Sequence, residues 1–251
     1  MPGQLLLNGG DEFKPGNEPQ DQALVRAARP GPAYVVPTAA RRQRPELAVA
    51  TARAWFAALG VEVEELPVYT RTSAGSAELA ARAASAGLIY LTGGDPGLLA
   101  RTLRGTRVWA AMVDAWLGGA ALAGSSAGAM ALCEWTLVMA RWPHHHERRA
   151  VEALGLVPGT AVLPHFERMG SRWSVDDRPE GLTLLGIDER TAAVWTTEGW
   201  HAAGEGAVIV LRDGETARHG HGERFTGVPA PQVPPPQVPP PRPAPTGGGR
   251  S

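Results

Sequence analysis

Residues 124–128 read Gly-Ser-Ser-Ala-Gly, a G-x-S-x-G string whose glycines let a strand turn sharply into a helix. That turn would hold Ser126 exposed at the C-terminal edge of a sheet, with the N–H groups that open the helix facing a developing oxyanion. A serine hydroxyl is a weak nucleophile until a base takes its proton, and a carboxylate must keep that base in the right tautomer. Of the seven histidines, only His165 closes an apolar segment, Thr160–Pro164, where a parallel strand would deliver it to the same edge. Asp188 and Glu189 follow Leu184–Ile187 in the same manner, and the residues by themselves leave either as the orienting acid.

A second glycine-rich loop, Thr92-Gly93-Gly94-Asp95-Pro96, ends the strand expected before Ser126. It lacks both G-x-G-x-x-G and a following Gly-Lys-Ser/Thr, so it is not read as a phosphate cradle. Neighbouring parallel strands set their C-terminal loops side by side, which would bring an N–H of Gly93 or Gly94 next to that of Ala127 as a pair of oxyanion donors. Asp95 would stand beside the same cleft. Arg168 and Arg172, just past His165, have the chemistry to grip a substrate carboxylate bidentately. His144-His145-His146-Glu147 is metal-like in composition, but consecutive loop residues seldom reach one ion, so a solvated loop and no metal are expected. Cys133, seven residues beyond Ser126, is expected on the elbow helix, packed and unreactive.

Short apolar runs and helical patterns alternate around these loops. Leu5–Asn8, Ala33–Pro37, Leu88–Leu91 and Ala120–Ala123 have the look of buried parallel strands. Val61–Leu66, with alternating glutamates, suits a sheet edge. Gln20–Ala28 and Glu46–Leu59 read as helices, the second with Pro45 in its first turn and Gly60 as its stop. Ser76 can cap a helix that ends at Gly87. Asp95-Pro96 opens a further helix whose Trp109, Met112, Val113 and Trp116 share one face and which Gly118-Gly119 closes. After His165, four short runs divided by Glu198-Gly199 and Gly204-Glu205-Gly206 read as an antiparallel meander. The expected fold is α/β, a three-layer arrangement with a mostly parallel sheet, helices on both faces and an antiparallel C-terminal end.

The chain has 251 residues, a formal net charge of -1 and 43% hydrophobic residues, which fits a single domain over 1–226. Residues 227–251 hold ten of the 23 prolines and are expected to form an extended, disordered tail. Near-neutral charge argues against a nucleic-acid partner held by bulk positive charge. No run of about 18 apolar residues suggests a membrane span, and no signal segment is read at the N-terminus. A single cysteine rules out an internal disulfide, so a cytoplasmic location is expected.

Four segments, YLTGGDPGLL, AGSSAGAMAL, LGLVPGTAVLPHF and LLGIDERTAAV, resemble in content and order the motifs of the peptidase E and cyanophycinase family. The resemblance spans about Gln4 to Arg212 and implies serine peptidases on a fold like the class I glutamine amidotransferases. It implies Ser126 as nucleophile, His165 as base and Glu189 as third member, with Gly94 or its neighbour Gly93 and Ala127 as oxyanion donors. A glutaminase is disfavoured, because that chemistry uses cysteine at the elbow. The expected activity is cofactor-free hydrolysis of small peptides or isoaspartyl-type amides through an acyl-enzyme, with a peptide substrate as partner and homo-oligomerisation left open. The expectation from another class is a non-catalytic binding or regulatory module that kept the fold.

Overall fold

The computed structural model describes residues 1–139, 148–170 and 179–235. Its strands divide between two sheets. The first has eight strands, ordered β14-β11-β10-β1-β5-β4-β2-β3. Its parallel half is β1 (Leu5–Asn8), β2 (Ala33–Val36), β3 (Val63–Glu65), β4 (Leu88–Leu91) and β5 (Ala121–Ser125). The antiparallel half is β10 (Thr191–Thr196), β11 (Gly199–Gly204) and β14 (Arg224–Phe225). β1, β2, β4 and β5 are continuous apolar or small runs because they are buried throughout. β3, with its glutamates, takes the edge.

The second sheet has six strands, ordered β13-β12-β9-β8-β6-β7, from β6 (Cys133–Met139), β7 (Arg148–Glu152), β8 (Val157–Pro164), β9 (Thr183–Ile187), β12 (Val208–Arg212) and β13 (Glu215–His219). Here the expected C-terminal meander is divided. β10 and β11 form an antiparallel pair on the first sheet, whereas β9 runs parallel to β8 and β12 pairs antiparallel with β9. The elbow helix α7 (Ala127–Leu132) is also shorter than expected, and Cys133 begins β6 instead of riding on it. Burial pushes the Cys133 thiol pKa up, away from reactivity.

The helices follow their caps. α2 (Pro45–Ala58) starts on Pro45, α4 (Ala77–Ala84) is capped by Ser76 through the Leu79 N–H, and α1 (Glu18–Ala27) and α3 (Arg71–Ala74) complete the first half. The helix expected to run from Pro96 to Leu117 is two: α5 (Pro96–Leu103) and α6 (Arg107–Leu117). Gly105, at φ +65°, breaks it, and Thr106 caps the second piece. α8 (Phe166–Met169) follows β8. Among the described residues no helix is long and apolar enough to cross a membrane.

One large buried cluster holds side chains of both sheets, including Leu7, Leu122, Leu137, Val162, Leu163 and Leu185. A smaller one, with Phe56 edge-on to Phe13 and Tyr90, fills the opposite face of the first sheet under α1 and α2. The Pro-rich segment starts on the domain. Val228 is buried, Trp200 Nε1–H donates to the Pro229 carbonyl at 3.0 Å and the Gln232 N–H donates to the Leu156 carbonyl at 2.9 Å. Contacts of this segment with the domain therefore extend at least to Gln232. Beyond Pro235 the expected tail lies outside the described residues.

Under the first sheet, Asp21 of α1 is fully buried, and its Oδ2 accepts the Trp55 Nε1–H at 2.8 Å. Burial pushes its carboxyl from 3.8 up to about 7, against the lowering effect of that hydrogen bond. Between those two pH values the folded protein keeps a proton that the unfolded chain releases, so this group makes stability fall as pH rises and level off above about 7. Asp21→Asn, which retains an acceptor for Trp55, is expected to gain stability over wild type at pH 8 by up to about 4 kcal/mol, and much less at pH 5. Denaturant melts of both proteins at the two pH values measure the difference; an equal gain at both would exclude a protonated Asp21.

Candidate active site

The C-terminal ends of β1, β4 and β5 meet the end of β8 at one place. β5 passes directly through Ser126 into α7, and Ser126 adopts φ +48° and ψ -108°, a conformation rare for a residue with a side chain. Its N–H is fixed to the Asn8 carbonyl at 2.9 Å. The glycines of the string are steric requirements. A Cβ on Gly124 would lie 2.5 Å from the Gly128 carbonyl carbon, and one on Gly128 would lie 2.3 Å from the Leu91 carbonyl oxygen. The elbow is therefore as tight as G-x-S-x-G predicts.

β8 ends at Pro164, and His165 turns out of it at φ +52° with its N–H held by the Gly9 carbonyl at 2.8 Å. The imidazole lies against the Gly9-Gly10 loop that follows β1, where a Cβ on Gly10 would stand 2.2 Å from His165 Cε1. His165 Nε2 is 3.1 Å from Ser126 Oγ, and His165 Nδ1 is 2.7 Å from Glu189 Oε1. A neutral ring protonated at Nδ1 donates to Glu189 and leaves Nε2 to accept the serine hydroxyl. β9 lies parallel beside β8 with Ile187 opposite Pro164, so the two residues after each strand fall next to one another. Glu189 is also fixed through its N–H, which donates to Glu167 Oε2 at 2.9 Å. Asp188 points elsewhere: it is buried, and its Oδ2 accepts the Ala207 N–H at 2.9 Å.

The other expected site residues separate by position. Gly93 donates its N–H to Glu12 Oε1 at 3.0 Å, while among the described residues the Gly94 N–H makes no hydrogen bond. Ala127 is the first residue of α7, so its N–H has no partner within the helix. Asp95 caps α5 by accepting the Leu98 N–H at 2.8 Å, and it lines the cleft. Arg168, 70% exposed, is turned onto Glu189, with Nη1 at 3.0 and 3.1 Å from its two oxygens, and not towards the cleft. Arg172 and the His144–Glu147 stretch lie outside the described residues.

The cleft over Ser126 has a volume of about 820 Å³. Met130, Leu137, Val138 and Met169 give it an apolar floor. Arg42, Arg101, Arg148 and Arg149 line it, with Asp95 as the carboxylate. Among the described residues Arg42, Arg101 and Arg149 form no ion pair, whereas Arg82, Arg104, Arg190 and Arg224 do. Neither these arginines nor Glu12 belongs to a recognisable motif. For Glu12 and Arg42 the available signal was topological, since the loops after β1 and β2 run to this edge, whereas Arg101 lies on α5 and Arg148 and Arg149 on β7.

A mixed α/β fold of the class I glutamine amidotransferase-like type, carrying a serine at a strand-to-helix elbow within reach of a histidine, defines a hydrolase. The model of peptidase family S51 matches residues 5–215, and the chain belongs to that family of serine peptidases. A cyanophycinase of Trichormus variabilis and one of a Nostoc species are each 31% identical over 219 residues, covering 82% of this chain and 72% of theirs. The crystal structure of a peptidase from an acI-B1 actinobacterium is 32% identical, covers 90% of this chain and 97% of that one, and superposes with a TM-score of 0.79. A putative peptidase E protein from Listeria monocytogenes, 16% identical with a TM-score of 0.56, shares the fold over 90% of this chain. None of these matches supports a non-catalytic module.

Proposed function

We propose that the protein hydrolyses small acidic peptides, or isoaspartyl-type amides, through an acyl-enzyme on Ser126. The observation that carries this reading is the unbroken chain from Ser126 Oγ through the His165 ring to Glu189, at 3.1 and 2.7 Å. His165 Nε2 takes the hydroxyl proton as Ser126 Oγ attacks the carbonyl carbon, and Glu189 stabilises the imidazolium that forms. The Gly94 and Ala127 N–H groups receive the oxyanion. His165 then returns its proton to the leaving amine, and water releases the acyl group by the same steps in reverse order of partners.

The acidic preference rests on Arg42, Arg101 and Arg149, which line the cleft without an ion pair, against one lining carboxylate among the described residues, itself occupied in capping α5. The named relatives include two cyanophycinases and a peptidase, which adds support for a peptide substrate. A library of dipeptides and isodipeptides, assayed with wild type and with Ser126→Ala, tests the reading. Members with an aspartate or glutamate are expected to exceed those with arginine or lysine by about tenfold or more in kcat/KM. Ser126→Ala is expected to turn over none of them. No turnover of any member by wild type would sink the peptidase reading, and a preference for basic peptides would sink the substrate assignment.

A further inference from the structure

We propose that Glu12 is a positioning residue for the oxyanion donors, a role that rests on Ser126 being the nucleophile. Its carboxylate joins the two loops that must supply those donors. Oε1 accepts the Gly93 N–H at 3.0 Å, and Oε2 accepts the Ser125 hydroxyl at 2.9 Å. Ser125 immediately precedes the nucleophile, so one side chain holds both the glycine loop after β4 and the elbow after β5.

The consequence lies in three successive N–H groups. That of Gly93 is tied to Glu12, and that of Asp95 is tied to the Ala39 carbonyl at 2.9 Å. Between them, the Gly94 N–H has no partner among the described residues, on a residue that lines the cleft with Ser126. Gly94 has φ +138°, a conformation that glycine adopts without steric penalty, and a Cβ there would lie 2.3 Å from the Ala39 oxygen. Glycine at both positions leaves this peptide soft, and the two flanking hydrogen bonds are what fix its direction. A Cβ on Gly93 would stand 2.9 Å from Glu12 Oε1 and 3.5 Å from Ser126 Cβ, so Gly93 sits directly between the anchor and the nucleophile.

Glu12 is itself held in place. Asp11 and Phe13 on either side have φ +57° and +60°, a costly turn for residues with side chains. Arg190 Nε–H donates to Asp11 Oδ2 at 2.8 Å, and Phe13 is buried against Phe56 and Tyr90. These contacts aim Glu12 inward at two hydrogen-bond donors, and neither contact involves substrate. Its job is reach and direction, so an amide of the same length should substitute for it and a shorter acid should not.

The test uses the rate at which a peptidyl diphenyl phosphonate labels Ser126, which needs the oxyanion donors but no known substrate. Glu12→Gln keeps an oxygen for the Gly93 N–H and is expected to label within about fivefold of wild type. Glu12→Asp, one methylene shorter, is expected to lose about a hundredfold in the maximal labelling rate with the half-saturating concentration little changed. Melting curves check that both variants are folded. The proposal is overturned if Glu12→Asp labels like wild type, if Glu12→Gln is the crippled variant, or if the loss is confined to half-saturation. Wild type that is not labelled at Ser126 overturns the nucleophile assignment, a result distinct from any ranking of the Glu12 variants.

Discussion

Glu189→Gln is expected to lower kcat by about a thousandfold or more while the protein stays folded. The amide keeps the shape of the acid but removes the charge that stabilises the imidazolium, and its NH₂ can face His165 Nδ1 and favour the wrong tautomer. Arg168 would also lose the carboxylate on which its Nη1 rests. Asp188→Asn is the informative partner. Its carboxylate accepts the Ala207 N–H, and an asparagine oxygen can do the same, so kcat is expected to hold within a few-fold. Steady-state kinetics on the preferred library peptide, beside melting curves, separates the two residues. A crippled Asp188→Asn with a healthy Glu189→Gln would mean that the His165–Glu189 contact is not the working one.

Gly10→Ala should be nearly as damaging, without touching any group that moves a proton. The new Cβ would lie 2.2 Å from His165 Cε1, and the loop cannot easily retreat because the Gly10 carbonyl also accepts the Arg190 N–H at 3.0 Å. The ring must give way, and a displacement of about 1 Å from its reacting partner typically costs on the order of a hundredfold. Gly60→Ala supplies the control. Gly60 has a similar positive φ, +82°, but nothing lies within 4 Å of the added carbon. It is expected to lose stability by about 1 kcal/mol from backbone strain and to keep its kcat. Equal kcat in the two variants would show that the Gly9-Gly10 wall does not hold the ring.

Much of this site is legible in the sequence because its signals are local. The G-x-S-x-G elbow, the strand-end His165 and the acid after Leu184–Ile187 each follow from a few adjacent residues. The division of strands between two sheets is not legible. Leu184–Ile187 and Ala192–Thr196 are equally short and apolar, and only partners more than twenty residues away send one to β8 and the other to β1. The choice between Asp188 and Glu189 was open for the same reason, since one residue of register reverses which side chain faces His165. Glu12 gave no signal because its direction depends on left-handed backbone at Asp11 and Phe13, which no local sequence pattern announces. Arg168 carries the right charge for a substrate contact, but a nearer carboxylate, Glu189, takes it.

Ser126 emerges from the first sheet and His165 from the second, so their 3.1 Å separation is also a gauge of how the two sheets lie against each other. Both sheets contribute to one buried cluster, Leu7 and Leu122 from the first and Val162 and Leu185 from the second, and α7 packs against β1, β5 and β8 between them. A domain can absorb a lost methyl group there and remain folded, because stability sums over the whole interior. On the proposed reading Ser126 and His165 have no such reserve, since a few tenths of an ångström decide whether the proton can pass. Tolerance to change in that interior is therefore governed by turnover before it is governed by folding, and residues far from any substrate inherit the exactness of the chemistry.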